Sequence, residues 1–553
     1  FSMSKEEYEL NKELEEDKKK KKEKDEKKAK EEADKAKKAD GKADAEDAEA
    51  DKKDGDKEDD KDKVEPIEID WDGIADRTVR LTVHASDLSS AVLTKDGEKL
   101  YYLSRFENGY DLWMQDLRKG ETKLVTKLGA RGAAFELADD EKSLFILADG
   151  SLAKYKLDGA SASRKGVSLR ASMEVHAGAE RDYFFEHIWR QVKDKFYNPN
   201  MHGVDWADMK AEYAAKLPNI GNNRDFARMM EELLGELNAS HTGAYYGARI
   251  PNRDRAATLG LLFDYTDTSG ALKIDEVLDK SPFAKASSSV KAGMSLVAID
   301  GVKLDRSQNI YQLLNHRAGE RVRLTFSKED GTSFDEVMKP ITGGAQNQLM
   351  YERWVKSREA LVEELSGGRL GYVHVRAMND RSFRQVYSNI LGKNFTKEAI
   401  LVDTRWNGGG WLHNDLAKLL AGKQYLKMKV RGRVYEGDPL DQWYKPSMLI
   451  IGEGNYSDAH AFPFAYRALG IGEMVGMPVP GTMTAVWWET MHSGDITIGI
   501  PQVGVLDMEG NYLENFQIEP EYKVKNDPAS SAEGKDLQIE KAVEVMLGKL
   551  DAE

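Results

Sequence analysis

The run Met448-Leu449-Ile450-Ile451-Gly452 leads into Gly454-Asn455-Tyr456-Ser457-Asp458-Ala459-His460-Ala461-Phe462-Pro463, and residues 464–469 then carry helical character. A short apolar run closed by glycine reads as a buried strand, so Ser457 stands at a strand-to-helix turn. A serine there can present its hydroxyl beside unpaired backbone N–H groups, as a nucleophile and its oxyanion donors require. The same position also favours serine as a plain helix N-cap. Alone, the segment leaves both readings open.

The surrounding pattern is that of an α/β domain over residues 346–553. Residues 370–375, 399–403 and 448–451 read as strands, and 382–391, 412–420 and 461–469 as helices, an alternation that builds a helix-covered sheet. The second strand runs on as Leu401-Val402-Asp403-Thr404-Arg405-Trp406-Asn407-Gly408-Gly409-Gly410. Successive glycines allow close backbone approach and φ angles closed to other residues, although glycine also punctuates ordinary loops. Two further segments hold chemistry-bearing side chains: Leu237-Asn238-Ala239-Ser240-His241-Thr242-Gly243 and Tyr512-Leu513-Glu514-Asn515-Phe516-Gln517-Ile518-Glu519-Pro520.

Upstream the texture changes several times. Residues 1–65 are dominated by Lys, Asp, Glu and Ala. Such composition buries too little apolar surface to offset chain entropy, which predicts a disordered or solvated linker. Residues 66–175 read as the end of a β-propeller. Residues 90–103 form strand, Asp-Gly turn, strand; 111–117 add another strand, and the pattern returns over 134–137, 143–148 and 152–157. Ser90 and Ala134 lie about 44 residues apart, the period of propeller blades. Two blades cannot bury their own faces, so the chain is expected to be the C-terminal part of a longer protein. It opens on Phe1-Ser2-Met3, neither a start methionine nor a leader.

Residues 176–252 are helical in pattern, with Phe184, Ile188, Val192 and Phe196 at a spacing of four, and a helix over 226–234 runs towards Ser240-His241. Residues 253–345 look like a PDZ module, in the ordered set Leu259-Gly260-Leu261-Leu262-Phe263, 272–277, Ser281-Pro282-Phe283-Ala284 and 293–301. In such modules the first segment holds a peptide C-terminus on backbone N–H groups while the peptide adds as a strand.

Bulk properties exclude several functions. A chain of 553 residues exceeds one core, so three or four domains are expected. A net charge of −15 and a pI near 5.4 argue against a general nucleic-acid binder. With no cysteine, disulfide frameworks, thiolate catalysis and Cys-based zinc sites are excluded. The ten histidines contain no HExxH, and no apolar run approaches the length of a membrane span.

Taken in order, the segments around Ser240-His241, Gly408-Gly409, Ser457 and Glu514 resemble the core of tricorn-type serine proteases, within the wider family of C-terminal (tail-specific) processing peptidases. The resemblance covers roughly residues 66–545. It implies a multidomain fold of α/β and β parts: partial β-propeller blades, a helical segment, a PDZ domain and a crotonase- or ClpP-like α/β protease core. It implies Ser457 as nucleophile, His241 as general base, and Glu514 with Ser240 as the pair that orients the base. The backbone N–H groups of Asp458, Gly408 and Gly409 would be the oxyanion donors, and Leu259, Gly260, Leu261 and Leu262 the peptide-binding loop. Peptide substrates, no cofactor and a homo-oligomer, a hexamer by resemblance, are implied in the same way. So is a cytoplasmic location, although some bacterial relatives are exported.

Certain residues test that assignment. Adjacent residues on an extended strand face opposite ways, so Ser240 and His241 can cooperate only if the backbone turns there. His460, three residues after Ser457, is a rival base expected to pack or cap; Glu519 and Glu521 are rival carboxylates resembling the family's exit strand. The processing branch pairs its serine with a lysine about 25 residues downstream, where this chain has Thr482, and no lysine occurs between Lys445 and Lys523. A Ser/Lys dyad therefore has no lysine to use. Ala459, His460 and Gln517 depart from residues common in the family, which bears on substrate preference. Two other readings compete: a non-catalytic propeller/PDZ peptide-binding scaffold, and an α/β-hydrolase esterase. The latter lacks its G-x-S-x-G elbow here and has the wrong order of acid and base.

Overall fold

The structure, a computed structural model, describes residues 18, 20–21 and 71–552 apart from 84, 106–108, 159–160, 249, 268–269 and 306–308. The charged linker expected over 1–65 lies almost wholly outside them. The chain divides into two compact units, one ending at Met173 and one beginning at Glu174.

The first unit consists of two four-stranded antiparallel meanders. One runs Asp87–Leu93, Lys99–Arg105, Tyr110–Asp116, Glu121–Ala130; the other runs Ala133–Leu137, Ser143–Ala148, Ser151–Asp158, Ser161–Gly166. Each is a propeller-blade unit, and the two share a core that includes Leu103, Leu112, Leu144 and Ile146. The expected strands are present, but the last strand of each meander carries little sequence signal. Ser161–Gly166 is Ser-Ala-Ser-Arg-Lys-Gly, exposed along nearly its whole length, so no apolar alternation marks it.

In the second unit, helices Ala177–Lys195, Trp206–Ala214 and Asn223–Gly235 form a cluster closed by Ile496, Ile498 and Ile500 from a distant strand. That strand, Ile496–Gly504, lies between Thr484–Thr490 and Gly243–Tyr246 in an antiparallel sheet. It ties the Ser240-His241 segment to residues more than two hundred positions later. The PDZ domain has a sheet in the order Leu261–Phe263, Leu272–Val277, Ser295–Ile299, Val322–Ser327, Ser333–Met338. Its core includes Ile274, Phe283, Leu296 and Phe326. The long helix Gly343–Leu365 leaves this domain and is ion-paired back to it through Arg353–Glu276, Lys356–Asp279 and Lys280–Glu352, each at 2.7 Å.

The α/β core is a five-stranded parallel sheet in the order Leu370–His374, Ala399–Asp403, Ser447–Ile451, Glu473–Gly476, Tyr522–Lys523. Helices Asp380–Ser388, His413–Leu420 and Asp458–Ala468 cover one face. Gly343–Leu365 and Leu537–Leu550 cover the other. Every residue of Ala399–Asp403 and Ser447–Ile451 is buried, as a doubly covered parallel sheet requires. In such sheets, sites form just beyond the carboxyl ends of the strands, and both the glycine turn and Ser457 lie there.

A buried charge network locks this end of the sheet. Arg405, 2 % exposed, meets Asp403 at 2.6 Å and Asp536 at 2.9 Å, and Tyr372 donates to Asp403 at 2.8 Å. Burial works against ionisation of Asp536, yet the neighbouring Arg405 guanidinium holds its carboxyl below the ordinary range. Arg405→Met would leave Asp403 buried without a cation, and Asp536 with only Arg358 at 3.3 Å. A loss of about 3–5 kcal/mol is expected, read as an earlier urea midpoint by tryptophan fluorescence; an unchanged midpoint would deny the network this role.

Candidate active site

Ser457 occupies the position before helix Asp458–Ala468 with φ +58° and ψ −125°, a strained conformation for a residue with a side chain. Several contacts hold it there. Its N–H donates to Thr482 Oγ1 at 3.0 Å, and the preceding Tyr456 N–H donates to Asn407 O at 3.0 Å. Thr482, at the position where the processing branch has lysine, thus serves the Ser457 backbone. Pro463 inside the helix cannot donate to the Ala459 carbonyl, which instead accepts from Asn455 Nδ2 at 3.3 Å. Ser457 has no side-chain capping bond, so its hydroxyl is not consumed as an N-cap.

The glycine turn presses directly on this residue. Gly409 has φ +94°, and a Cβ there would lie 2.6 Å from Ser457 Cβ, 2.7 Å from Tyr456 O and 3.1 Å from Asp458 N. Buried Asn407 shapes the turn: its Nδ2 donates to Val375 O at 2.8 Å and its Oδ1 accepts the Gly409 N–H at 2.9 Å. Of the three N–H groups expected as oxyanion donors, Gly409's is therefore engaged within the turn. Among the described residues, those of Gly408 and Asp458 have no hydrogen-bond partner. The Asp458 carboxylate, 2 % exposed, accepts from the N–H groups of Leu412 and His413 and pairs with the His413 ring. It thereby fastens helix His413–Leu420 to the Ser457 helix, and its hydrogen bond raises the His413 pKa.

The Ser240-His241 pair also depends on a turn. His241 has φ +62°, a left-handed conformation that removes the strand alternation and lets adjacent side chains meet. Ser240 Oγ is 2.8 Å from His241 Nδ1 and donates to Glu514 Oε2 at 2.9 Å, while the Ser240 N–H donates to the other Glu514 oxygen. A hydroxyl has one proton, and Glu514 takes it, so Ser240 Oγ accepts from Nδ1–H and leaves the lone pair on Nε2. Thr484 Oγ1 lies 2.9 Å from the same Nδ1 and can accept from it as well. Tyr456 links the two halves: its hydroxyl accepts the His241 N–H at 2.7 Å, and the two rings lie 4.8 Å apart. Among the described residues no hydrogen bond joins Ser457 Oγ to His241 directly.

Burial sets the electrostatics. It pushes the His241 imidazole down to about 4 and raises the Glu514 carboxyl despite the two hydrogen bonds from Ser240. His460 is fully buried with neither ring nitrogen hydrogen-bonded, and burial drives it to about 4. Glu519 and Glu521 are engaged elsewhere, with Lys523 at 3.2 Å and Arg467 at 2.7 Å.

In the PDZ loop, Leu259 and Leu261 are buried, Leu262 pairs with Glu276, and the Gly260 N–H donates to Gln346 Oε1 at 3.1 Å. Sequence reading did not find Tyr456, Asn407, Thr484 or Gln346. Only Tyr456 carried a signal, its place beside Ser457.

Three family models match the chain in order. The Tricorn protease C1 domain matches residues 177–235, the Tricorn protease PDZ domain 274–342 and Peptidase family S41 369–524. Tricorn protease homolog 1 of Streptomyces coelicolor is 29 % identical over 519 residues, covering 87 % of this chain and 47 % of that protein. The Tricorn protease of Thermoplasma volcanium is 22 % identical over 502 residues, 85 % of this chain and 47 % of its own length. A crystal structure of the tricorn protease superposes with a TM-score of 0.73 at 19 % identity, over 84 % of this chain and 47 % of that one. The chain thus spans about half the length of the curated relatives it matches. Among the described residues no helix is long and apolar enough to cross a membrane.

Proposed function

We propose that this chain, a tricorn-type member of the S41 peptidases, hydrolyses peptide bonds through a Ser/His/Ser/Glu tetrad. Ser457 Oγ attacks the scissile carbonyl, His241 Nε2 removes the hydroxyl proton, and the same proton then goes to the leaving amine. Glu514 acts through Ser240, which keeps the proton on Nδ1 and offsets the positive charge that develops on the ring. The oxyanion is held by the N–H groups of Asp458 and Gly408, with Gly409 as the residue whose missing side chain lets the turn approach. What most supports the reading is the hydrogen-bonded relay Glu514–Ser240–His241. A peptide C-terminus could reach the Gly260 N–H of the PDZ loop only by displacing Gln346. A homo-oligomer, by the same resemblance a hexamer, belongs to this proposal.

The test is a fluorophosphonate serine probe with the modified residue located by mass spectrometry, beside a fluorogenic-peptide assay. Modification at Ser457 with parallel loss of cleavage supports the proposal; a folded protein that neither labels nor cleaves would be a peptide-binding scaffold instead.

The pH behaviour follows from burial. A base must be neutral to act, so kcat/KM is expected to hold well below pH 6.5 and to fall only as pH drops through about 4. Stability has a related sign. His241 and His460 titrate near 4 in the folded chain and near 6.5 when unfolded, so between those values the unfolded chain binds more protons. Stability therefore decreases as pH falls across that window. Activity that halves already near pH 6.5 would contradict the lowering of the His241 pKa by burial.

A further inference from the structure

A pocket of about 490 Å³ lies in the PDZ domain. Four of its lining side chains are cations, Lys280, Lys285, Arg321 and Lys339, and among the described residues no carboxylate lines it. Lys280 is neutralised by Glu352 at 2.7 Å. Among the described residues the other three have no carboxylate within ion-pairing distance, in a chain whose net charge is −15. Ser281, 2 % exposed, contributes a wall of the pocket and has a buried hydroxyl with no hydrogen-bond partner. An unpaired buried hydroxyl is costly, and a χ1 rotation would offer it to a ligand.

The rest of the pocket points to a peptide. Strand Ser333–Met338 ends its sheet at the edge opposite Leu261–Phe263 and, among the described residues, pairs only with Val322–Ser327. An open edge of this kind is a template for an added extended segment. Val337, 61 % exposed, and Ile341 give the pocket an apolar side. A free inorganic anion would use neither the edge nor the apolar wall.

We propose that this pocket is an exosite for a carboxylate carried on an extended peptide, which adds along Ser333–Met338 and places its anionic group among Lys285, Arg321 and Lys339. The C-terminal carboxylate and an Asp or Glu side chain share this chemistry. The site adjoins the loop around Gly260, since a Cβ at Gly260 would lie 2.6 Å from Ser281 Cβ, but it does not use the Gly260 amide, which Gln346 already occupies. The proposal rests on the peptidase reading only in taking the ligand to be a peptide, and binding is measured apart from cleavage.

The experiment uses the full chain carrying Ser457→Ala and the fluorescence anisotropy of a labelled peptide that ends in acidic residues. Lys285→Glu with Lys339→Glu is expected to weaken binding at least about tenfold, and added salt to weaken it further. Lys291→Glu, elsewhere on the same domain, should leave binding unchanged. Amidating the C-terminus or replacing the acidic residues by Gln or Asn identifies which carboxylate binds, and loss in either arm supports the site. Equal binding by the double variant, equal binding of a fully neutral peptide, or no binding by the parent would overturn it. So would inorganic phosphate that displaces the peptide as well as free acidic peptide does. Binding that survives in a protein whose wild-type form cleaves nothing would retire the peptidase reading and keep the exosite.

Discussion

Replacing Ser457 by alanine is expected to lower kcat/KM for peptide hydrolysis on the order of 10⁵–10⁶-fold, and His241→Ala to do the same. The magnitude follows from the way the two groups depend on each other. A serine hydroxyl is a weak nucleophile until a base takes its proton, and a base without its nucleophile has no proton to move. The Ser457→Ala/His241→Ala double variant should therefore be little worse than either single one, because the second substitution removes a function already lost. Glu514→Gln should be milder by roughly two orders of magnitude, since Glu514 works through the Ser240 hydroxyl and the Thr484 hydroxyl also touches Nδ1. Initial rates on a fluorogenic peptide decide the matter. A Ser457→Ala protein with a few per cent of activity would exclude Ser457 as nucleophile, and losses that multiply in the double variant would mean that the two residues act independently.

Much of this arrangement is legible in the sequence, for identifiable reasons. The core strands Ala399–Asp403 and Ser447–Ile451 are buried on both faces, so they appear as unbroken apolar runs. The segment before Ser457 and the run of glycines break those patterns, and breaks of pattern at strand ends are where sites concentrate. Elements that take their stability from elsewhere left weaker traces. Glu473–Gly476 and Tyr522–Lys523 are too short to show a period, and the hairpin of Thr484–Thr490 with Ile496–Gly504 earns its place by covering helices far upstream. Polar residues with structural duties were the hardest to see. Arg405, Asn407 and Gln346 hold the strand end, the turn and the PDZ loop through hydrogen bonds to groups distant in the chain. The turn at His241 shows the same limit: the need for it was evident from adjacent Ser240 and His241, but its left-handed φ is imposed by tertiary contacts.

The three glycines are alike in sequence and should respond very differently to substitution. Gly409→Ala is expected to lower kcat/KM by about 10³-fold or more, whereas Gly408→Ala should stay within about tenfold of the parent. At Gly408 the φ angle is not in the left-handed region and an added Cβ meets nothing within 4 Å. The added methyl also leaves the Gly408 N–H, the proposed oxyanion donor, in place. At Gly409 the φ of +94° disfavours any side chain, and the Cβ would fall 2.6 Å from Ser457 Cβ and 2.7 Å from the Tyr456 carbonyl oxygen. Those atoms are backbone or close to it and cannot swing aside, so the turn itself has to retreat from Ser457. Retreat carries the Gly408 N–H away from the developing oxyanion, and loss of one such donor alone costs about 10²–10³-fold; displacement of the nucleophile adds to it. The strain confined to this turn should leave the sheet beneath intact, because Arg405, Asp403 and Asp536 hold the strand end independently. Peptide-cleavage rates and fluorophosphonate labelling, compared with urea unfolding of both variants, separate the two effects. Equal losses in Gly408→Ala and Gly409→Ala would show that the turn does not set the distance to Ser457. A Gly409→Ala protein with near-normal activity would place the oxyanion donors elsewhere.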